Sequence, residues 1–457
     1  MYNKPTPPFV SGGIPGLGNA LEYRSNRTGL LRRGYEEHGN IFALKLANQK
    51  VAVVIGPEYQ KIFFMETDKK LDMAKPYGFI RAIFGDLAFL GSKQKYQEQR
   101  QIIHAPFRRA KMLHYTGIMQ EQVQAWLDSL PDEREMELTA AVAGVVQRVA
   151  GYALMGEKFQ ESVGQEFWDL YGDLSAALDP LIPPNWPLPK FRRRDRAKAR
   201  MIEILRPVIA ERRAHPEEYN DFLQNLIDTP DKNGRKLDDD ELISLILGLN
   251  FAGHETTSGQ GSWTIIQLLQ NPWHLALVQQ EIEENLPPGT PIDNQIMSAM
   301  PHIAWAVRET ERMRPSADML MRYAEEDVEF GDYVVPAGWL VQTATSVAHY
   351  LPELFQEPEK YDPLRYEPGR EEDKQDRFAL IGFGGGLHKC AGMNFANNEM
   401  FVITALLFQQ FDLELITQDP QIVYGMGAAH PEPTLVRLRR KRASVPSQAE
   451  PEMAVAA

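Results

Sequence analysis

The one thiol-bearing loop constrains this chain most. Cys390 is its only cysteine, and it lies in Phe383-Gly384-Gly385-Gly386-Leu387-His388-Lys389-Cys390-Ala391-Gly392. Three successive glycines open backbone conformations closed to other residues, so the stretch can lie close against something flat and large. Directly after it, Phe395, Ile403, Leu406, Leu407 and Phe411 recur near helical spacing and predict a helix over 393–411. Cys390 then precedes a helix N-terminus, where unpaired N–H groups and the helix dipole favour an anion such as a thiolate. A lone cysteine by itself reads as a small buried hydrophobe. Its neighbours point elsewhere.

A thiolate on a loop that can approach a flat body is how a haem thiolate is built. Phe383 stands seven residues before Cys390, Gly386 four before, His388 two before and Gly392 two after. This pattern resembles the cysteine-loop signature of the cytochrome P-450 superfamily. The resemblance implies a mainly α fold with a small β-region. Haem b would be buried between a long distal helix and the helix after the cysteine loop, its iron held by the Cys390 thiolate, which favours O–O cleavage. Phe383 would shield the sulfur, Gly392 would let the following helix approach the ring, and His388 would lie against the cofactor.

Composition narrows the partners. With 49 basic against 62 acidic residues, the net charge of -13 argues against nucleic acid. A single cysteine excludes a disulfide within the chain, a cysteine-ligated iron–sulfur cluster and a fused ferredoxin. Electrons must come from outside, and a ferredoxin with its reductase, docking near Lys389, is the expected donor. The opening residues 1–8 are polar and proline-rich, with neither a signal-peptide core nor a spanning segment. The expectation is a soluble, monomeric, bacterial cytoplasmic enzyme without a membrane anchor. Residues 1–442 read as a single catalytic domain, and the Pro-, Ser-, Glu- and Ala-rich 443–457 as a disordered tail.

Along the chain, 12–18 is turn-rich but lacks the strand-to-helix context of a phosphate loop. Residues 41–55 alternate around Asn48-Gln49 as a hairpin does. The aromatic stretch 77–90 reads by itself as a buried connector. The resemblance makes it the roof of a substrate cavity, and its Tyr77, Phe84 and Gly85 spacing is similar to that of the sterol 14α-demethylases. Tyr77 would donate to a haem propionate, while Phe79, Ile80 and Phe84 face substrate. A helix over 96–107 places Arg100 and His104 on one face. The resemblance assigns that face to the cofactor, with Arg100 on a propionate and Tyr96 where the superfamily commonly has tryptophan. Further helices are predicted over 140–155, 165–178 and 196–213, the last after a proline-rich break at 183–189. The basic run 191–196 reads as a solvated face.

Residues 242–269 predict a long apolar helix interrupted by Ala252-Gly253-His254-Glu255-Thr256-Thr257-Ser258. Small residues in mid-helix cost stability unless something must come close. The resemblance makes this the distal helix, distorted at Gly253, with Thr256 positioning water and Glu255 relaying protons toward dioxygen. Phe251 and Ala252 would face substrate. The sterol branch typically has histidine where Glu255 stands and serine where Thr257 stands. Glu309 and Arg312 share a helical face at i, i+3, where a surface ion pair would contribute little. They match the superfamily's E-x-x-R pair and, with Arg365, imply a buried structural triad. Arg322 becomes a third propionate contact, with Asp318, Met319 and Leu320 lining the cavity. The family has an apolar residue where Asp318 stands, which predicts a pocket accepting a substrate hydroxyl or amine. His388 is usually arginine in the superfamily and histidine in the sterol branch.

The expected activity is monooxygenation of a lipophilic substrate by O2. A sterol or triterpenoid losing its 14α-methyl group is favoured. Glu255, Ala82 in place of the branch's proline, and Asp318 favour instead a hydroxylase of fatty acids, terpenoids or xenobiotics. A non-catalytic haem-thiolate sensor is the reading from another class.

Overall fold

The computed structural model describes residues 4–85, 87, 93–179, 182, 184, 186–425 and 428–441. The tail 443–457, Pro183 and Asn185 of the proline-rich break, and residues 86 and 88–90 of the aromatic stretch lie outside these. Helices dominate, beside a small β-region.

The main sheet has five strands: β1 (Ile41–Leu46), β2 (Gln49–Val54), β3 (Leu71–Asp72), β4 (Met319–Ala324) and β5 (Leu340–Ala344). β1 and β2 form the expected hairpin, with Ile41 opposite Val54 and Leu46 opposite Gln49. Its turn falls on Ala47-Asn48, where Ala47 takes φ 53, because Gln49 is already paired. The spatial order is β1-β2-β5-β4-β3. The run Val51–Val54, β-branched at all but Ala52, is fully buried, so β2 suits an inner position, where it runs parallel to β5. The sheet thus holds residues 319–324 beside the helical core.

The helices that place the site are α1 (Gly78–Phe84), α2 (Lys93–His104), α3 (Leu138–Ala150), α4 (Glu157–Ser175), α5 (Pro189–Ala214), α6 (Asp239–Gln270), α7 (Pro301–Met313) and α8 (Met393–Gln410). α2 stops at His104 rather than 107 because Pro106 bars its predecessor from helical backbone. α4 starts earlier than its apolar pattern suggested, after Gly156 at φ 86. α5 begins at Pro189, a residue preorganised for the first helical position. The basic run in α5 is not one solvated face: Arg194 is buried, stacks over Phe191 and donates to the Pro184 carbonyl at 3.0 Å. Leu138–Met155, α3 and the turn of π-helix after it, is long and apolar enough to cross a membrane by length and composition. Half of that stretch is buried, and α3 packs on α6.

α6 is the longest helix, and its start is written in the sequence. Asp238 accepts from the Glu241 N–H while Glu241 accepts from the Asp238 N–H, a reciprocal cap. The acidic first turn also complements the helix dipole. Behind the cysteine loop, Glu309 on α7 receives Arg312 through two bonds of 2.9 and 2.8 Å and Arg365 through two of 3.1 Å. All three side chains are fully buried. The structure adds Glu372, which pairs the far side of Arg365, and Tyr366, whose hydroxyl donates to Glu309 at 2.9 Å.

Candidate active site

The cysteine loop is shaped by close approach as much as by what it faces. Gly384 and Gly386 have φ of 72 and 66, the left-handed region that favours glycine. A Cβ on Gly386 would come within 3.1 Å of the Phe64 carbonyl, and one on Gly385 within 2.9 Å of the Phe64 ring. The Cys390 N–H donates to the Phe383 carbonyl at 2.9 Å. N–H groups of Gly392 and Met393, at the start of α8, face the sulfur. Cys390 is exposed only toward a cavity, and burial, the main influence, pushes its thiol up. Without a bound cation this sulfur favours the protonated form.

That cavity, of about 370 Å³, lies between the cysteine loop and α6. Its wall includes Tyr77, Leu320, Arg322, Phe383, His388, Cys390 and Gly392, and from α6 Ala252 and Thr256. Arg100 and His104 are not on this wall. Arg100 is exposed and engages the Tyr96 hydroxyl, while His104 is half-buried and kept low in basicity by burial and by Arg100. Phe84 and Phe251 stack on each other at 4.8 Å within the core, and Phe79 and Ile80 pack against the same core. Glu255 also lies off the wall, 3.5 Å from the His254 Nδ1, and the imidazole beside it holds the carboxyl below its usual range against the opposing effect of burial. α6 is helical through Gly253. The Thr256 hydroxyl donates to the Ala252 carbonyl at 2.6 Å, leaving its oxygen to accept from the cavity side.

Asp318 departs most from expectation. It pairs with Arg27 at 2.6 Å, and the guanidinium lies 5.0 Å from both the Tyr23 and Tyr424 rings. Burial pushes the Asp318 carboxyl up while Arg27 pulls it down. It borders a separate cavity of about 90 Å³, so it does not meet a ligand in the large one. Met319 is likewise engaged, its sulfur accepting from the Tyr23 hydroxyl at 3.0 Å. Asp318→Asn is expected to leave ligand affinity in the large cavity unchanged. Stability should fall by about 1–3 kcal/mol, the cost of an under-paired buried group, as read in a thermal melt.

Haem can be tested against the unmet demands on the wall. Arg322 is buried, donates to Thr67 at 3.0 Å and to the Met321 carbonyl at 2.8 Å, and forms no ion pair among the described residues. Burial alone pushes its basicity down, so it calls for an anion. The Tyr77 oxygen accepts from the Met321 N–H at 3.1 Å, leaving its own proton free. His388 is held by Asp68 at 2.7 Å through Nε2 and stacks on Tyr96 at 4.1 Å, while its Nδ1 is buried without a partner. The Arg322 guanidinium, the Tyr77 hydroxyl and, with both ring nitrogens protonated against the Asp68 carboxylate, His388 are three donors beside an apolar space; with a thiol on the wall, they fit a flat apolar ring bearing carboxylates.

Tyr96, noted in the sequence only as a replacement for tryptophan, and several residues the sequence left unassigned also form the wall. Tyr96 lines the cavity and donates to the Leu387 carbonyl at 3.2 Å. Glu311 and Glu399 line it too; burial pushes Glu311 up to about 7 and Glu399 well above the carboxylate range. Glu399 had a signal, as the one acid of the apolar helix after the cysteine. Asn250 and His254 had none beyond being polar in an apolar helix.

Comparison with known proteins agrees with this geometry. The family model described as Cytochrome P450 matches residues 7–437. A sterol 14alpha-demethylase of Mycolicibacterium vanbaalenii is 30% identical over 95% of this chain and 98% of its own. A sterol 14-demethylase of Arabidopsis thaliana is 29% identical over 96% and 93%, and a lanosterol 14-alpha demethylase of Rattus norvegicus 27% over 95% and 88%. The solved structure of retinoic acid bound cyanobacterial CYP120A1 superposes with a TM-score of 0.84 at 27% identity, covering 96% of this chain and all of that one. Members of this family bind haem through a cysteine thiolate, and here only Cys390 can supply it. A thiol at the mouth of a helix, a wall that asks for carboxylates and a match along nearly the whole chain converge: the chain belongs to the cytochrome P450 family.

Proposed function

We propose that this monooxygenase acts on a rigid lipophilic substrate, a sterol or triterpenoid, and removes its 14α-methyl group. The apolar chamber between the Cys390 loop and α6 carries the reading, since apolar walls pay the desolvation of a hydrocarbon skeleton. Relatives from a bacterium, a plant and a mammal that are named for this reaction align over more than nine-tenths of the chain. Asp318, which had favoured other substrates, is spent on Arg27.

Haem bound at Cys390 supplies the activation of dioxygen, with electrons from a ferredoxin and its reductase docking near Lys389. Arg322, Tyr77 and His388 hold the propionates. Thr256, its proton committed to Ala252, accepts a hydrogen bond from water and so orders it. Glu255 is charged and partly open to solvent; its carboxylate takes a proton from solvent and, on rotation toward Thr256, passes it to that water, which leaves the carboxylate charged again. A second reading, hydroxylation of a flexible terpenoid or fatty acid, draws on the neighbour solved with retinoic acid.

Optical titration of the ferric holoprotein separates the two. A 14α-methyl sterol is expected to shift haem from low to high spin and to be demethylated on turnover. A response to fatty or retinoid acids with none to the sterol would overturn the sterol reading.

A further inference from the structure

The polar group expected of Asp318 is found instead on α6. Asn250 is 2% exposed and lines the large cavity. Its amide nitrogen donates to the Ile246 carbonyl at 2.8 Å, which fixes the amide, and its Oδ1 is buried with no partner. One helical turn on, His254 lines the same cavity, boxed by the rings of Trp168 and Tyr171 at 6.4 and 6.0 Å. Neither of its ring nitrogens makes a hydrogen bond of normal geometry. The Glu255 carboxylate, 3.5 Å from Nδ1, directs the proton to that nitrogen and leaves the Nε2 lone pair open. Positions i and i+4 lie about 5–6 Å apart at Cβ, so one small group can reach both.

Leaving a buried acceptor unpaired is costly, and no described residue meets these two. They are remote in sequence from Arg322, Tyr77 and His388, whose demands haem carboxylates answer. Two acceptors side by side in an apolar chamber select a donor, and the single proton of a hydroxyl can be given to either or shared between them. We propose that Asn250 and His254 form a subsite for a hydroxyl group, so the natural substrate is a lipophilic alcohol rather than a bare hydrocarbon or a carboxylate. A carboxylate would place its charge against Oδ1 and against Glu255. The inference rests on the cavity being the substrate chamber proposed above, but not on the skeleton being a sterol.

The test is optical titration of the ferric holoprotein with two matched pairs: lanosterol against its 3-deoxy counterpart, and 1-dodecanol against dodecane. In at least one pair the alcohol is expected to bind about tenfold or more tightly than its deoxy partner, the ratio set by one buried group left unpaired. Asn250→Leu and His254→Leu should each shrink that ratio toward one, and Asn250→Asp, which keeps an acceptor, should retain it. Haem content and the carbon-monoxide spectrum of each variant show that it is folded. Discrimination in the dodecyl pair alone supports the subsite while counting against the sterol reading. Equal binding within both pairs, as when a trapped water satisfies both acceptors, overturns the subsite and leaves the sterol reading standing. So does a ratio unmoved by either leucine variant. No response to either alcohol overturns the subsite too.

Discussion

Replacing Cys390 by alanine is expected to erase the carbon-monoxide band of thiolate-ligated haem and to bring oxidation of every substrate to background. No second cysteine can take its place. The ring nearest in sequence, His388, cannot swing over, because Asp68 holds its Nε2 at 2.7 Å and Tyr96 stacks on its face. The empty protein should lose little stability, since the Cys390 side chain borders the cavity rather than filling the packed core. Haem itself can remain, held by apolar contact and by Arg322, Tyr77 and His388, so the measurement is the reduced carbon-monoxide spectrum alongside haem content. A thiolate band surviving in Cys390→Ala would refute the assignment of the axial ligand and the reading of the cavity with it.

What could be read in the sequence follows how local each signal is. The cysteine loop and the i, i+3 spacing of Glu309 and Arg312 are each written within ten residues. Each was legible because backbone geometry alone turns the spacing into a shared face or a closed turn. The fate of Asp318 was not legible, since its partner Arg27 lies 291 positions away. An acid at a cavity-lining position looked like a ligand for substrate until the fold brought a cation to it. The same holds for Phe84 and Phe251, read as facing substrate. Aromatic residues on two elements can meet a ligand or each other, and only tertiary packing decides.

The unread half of the site has a physical cause as well. Asn250 and His254 matter because of what they lack, and an unmet hydrogen bond can be seen only once every neighbour is in place. Arg322 was named from resemblance, but its reason is likewise an absence: a buried cation that forms no ion pair among the described residues. Sequence patterns register partners that are close along the chain. Cofactor and substrate sites consist of groups whose partners are not in the chain at all.

Glu309→Ala is expected to be the most destabilising single change in the set. Among the described residues it removes the one carboxylate that Arg312 touches, leaving that fully buried guanidinium with the carbonyls of His349, Pro358 and Lys360. Arg365 keeps Glu372, so the loss falls mainly on Arg312. Breaking a buried pair by deleting one partner costs about 3–5 kcal/mol, a large share of the roughly 5–15 kcal/mol that holds a typical domain together. Arg370→Ala is the internal control. Arg370 binds the same network through Glu372 and Asp362 but is 31% exposed, so water replaces what it loses and the cost should stay near that of a surface pair, about 1 kcal/mol or less. Thermal unfolding midpoints and haem-loaded yield of the two variants decide the matter. If Glu309→Ala melts no lower than Arg370→Ala, the buried network does not anchor the layer behind the cysteine loop. If it melts far lower and also loads little haem, the network is what holds Cys390 in place for the iron.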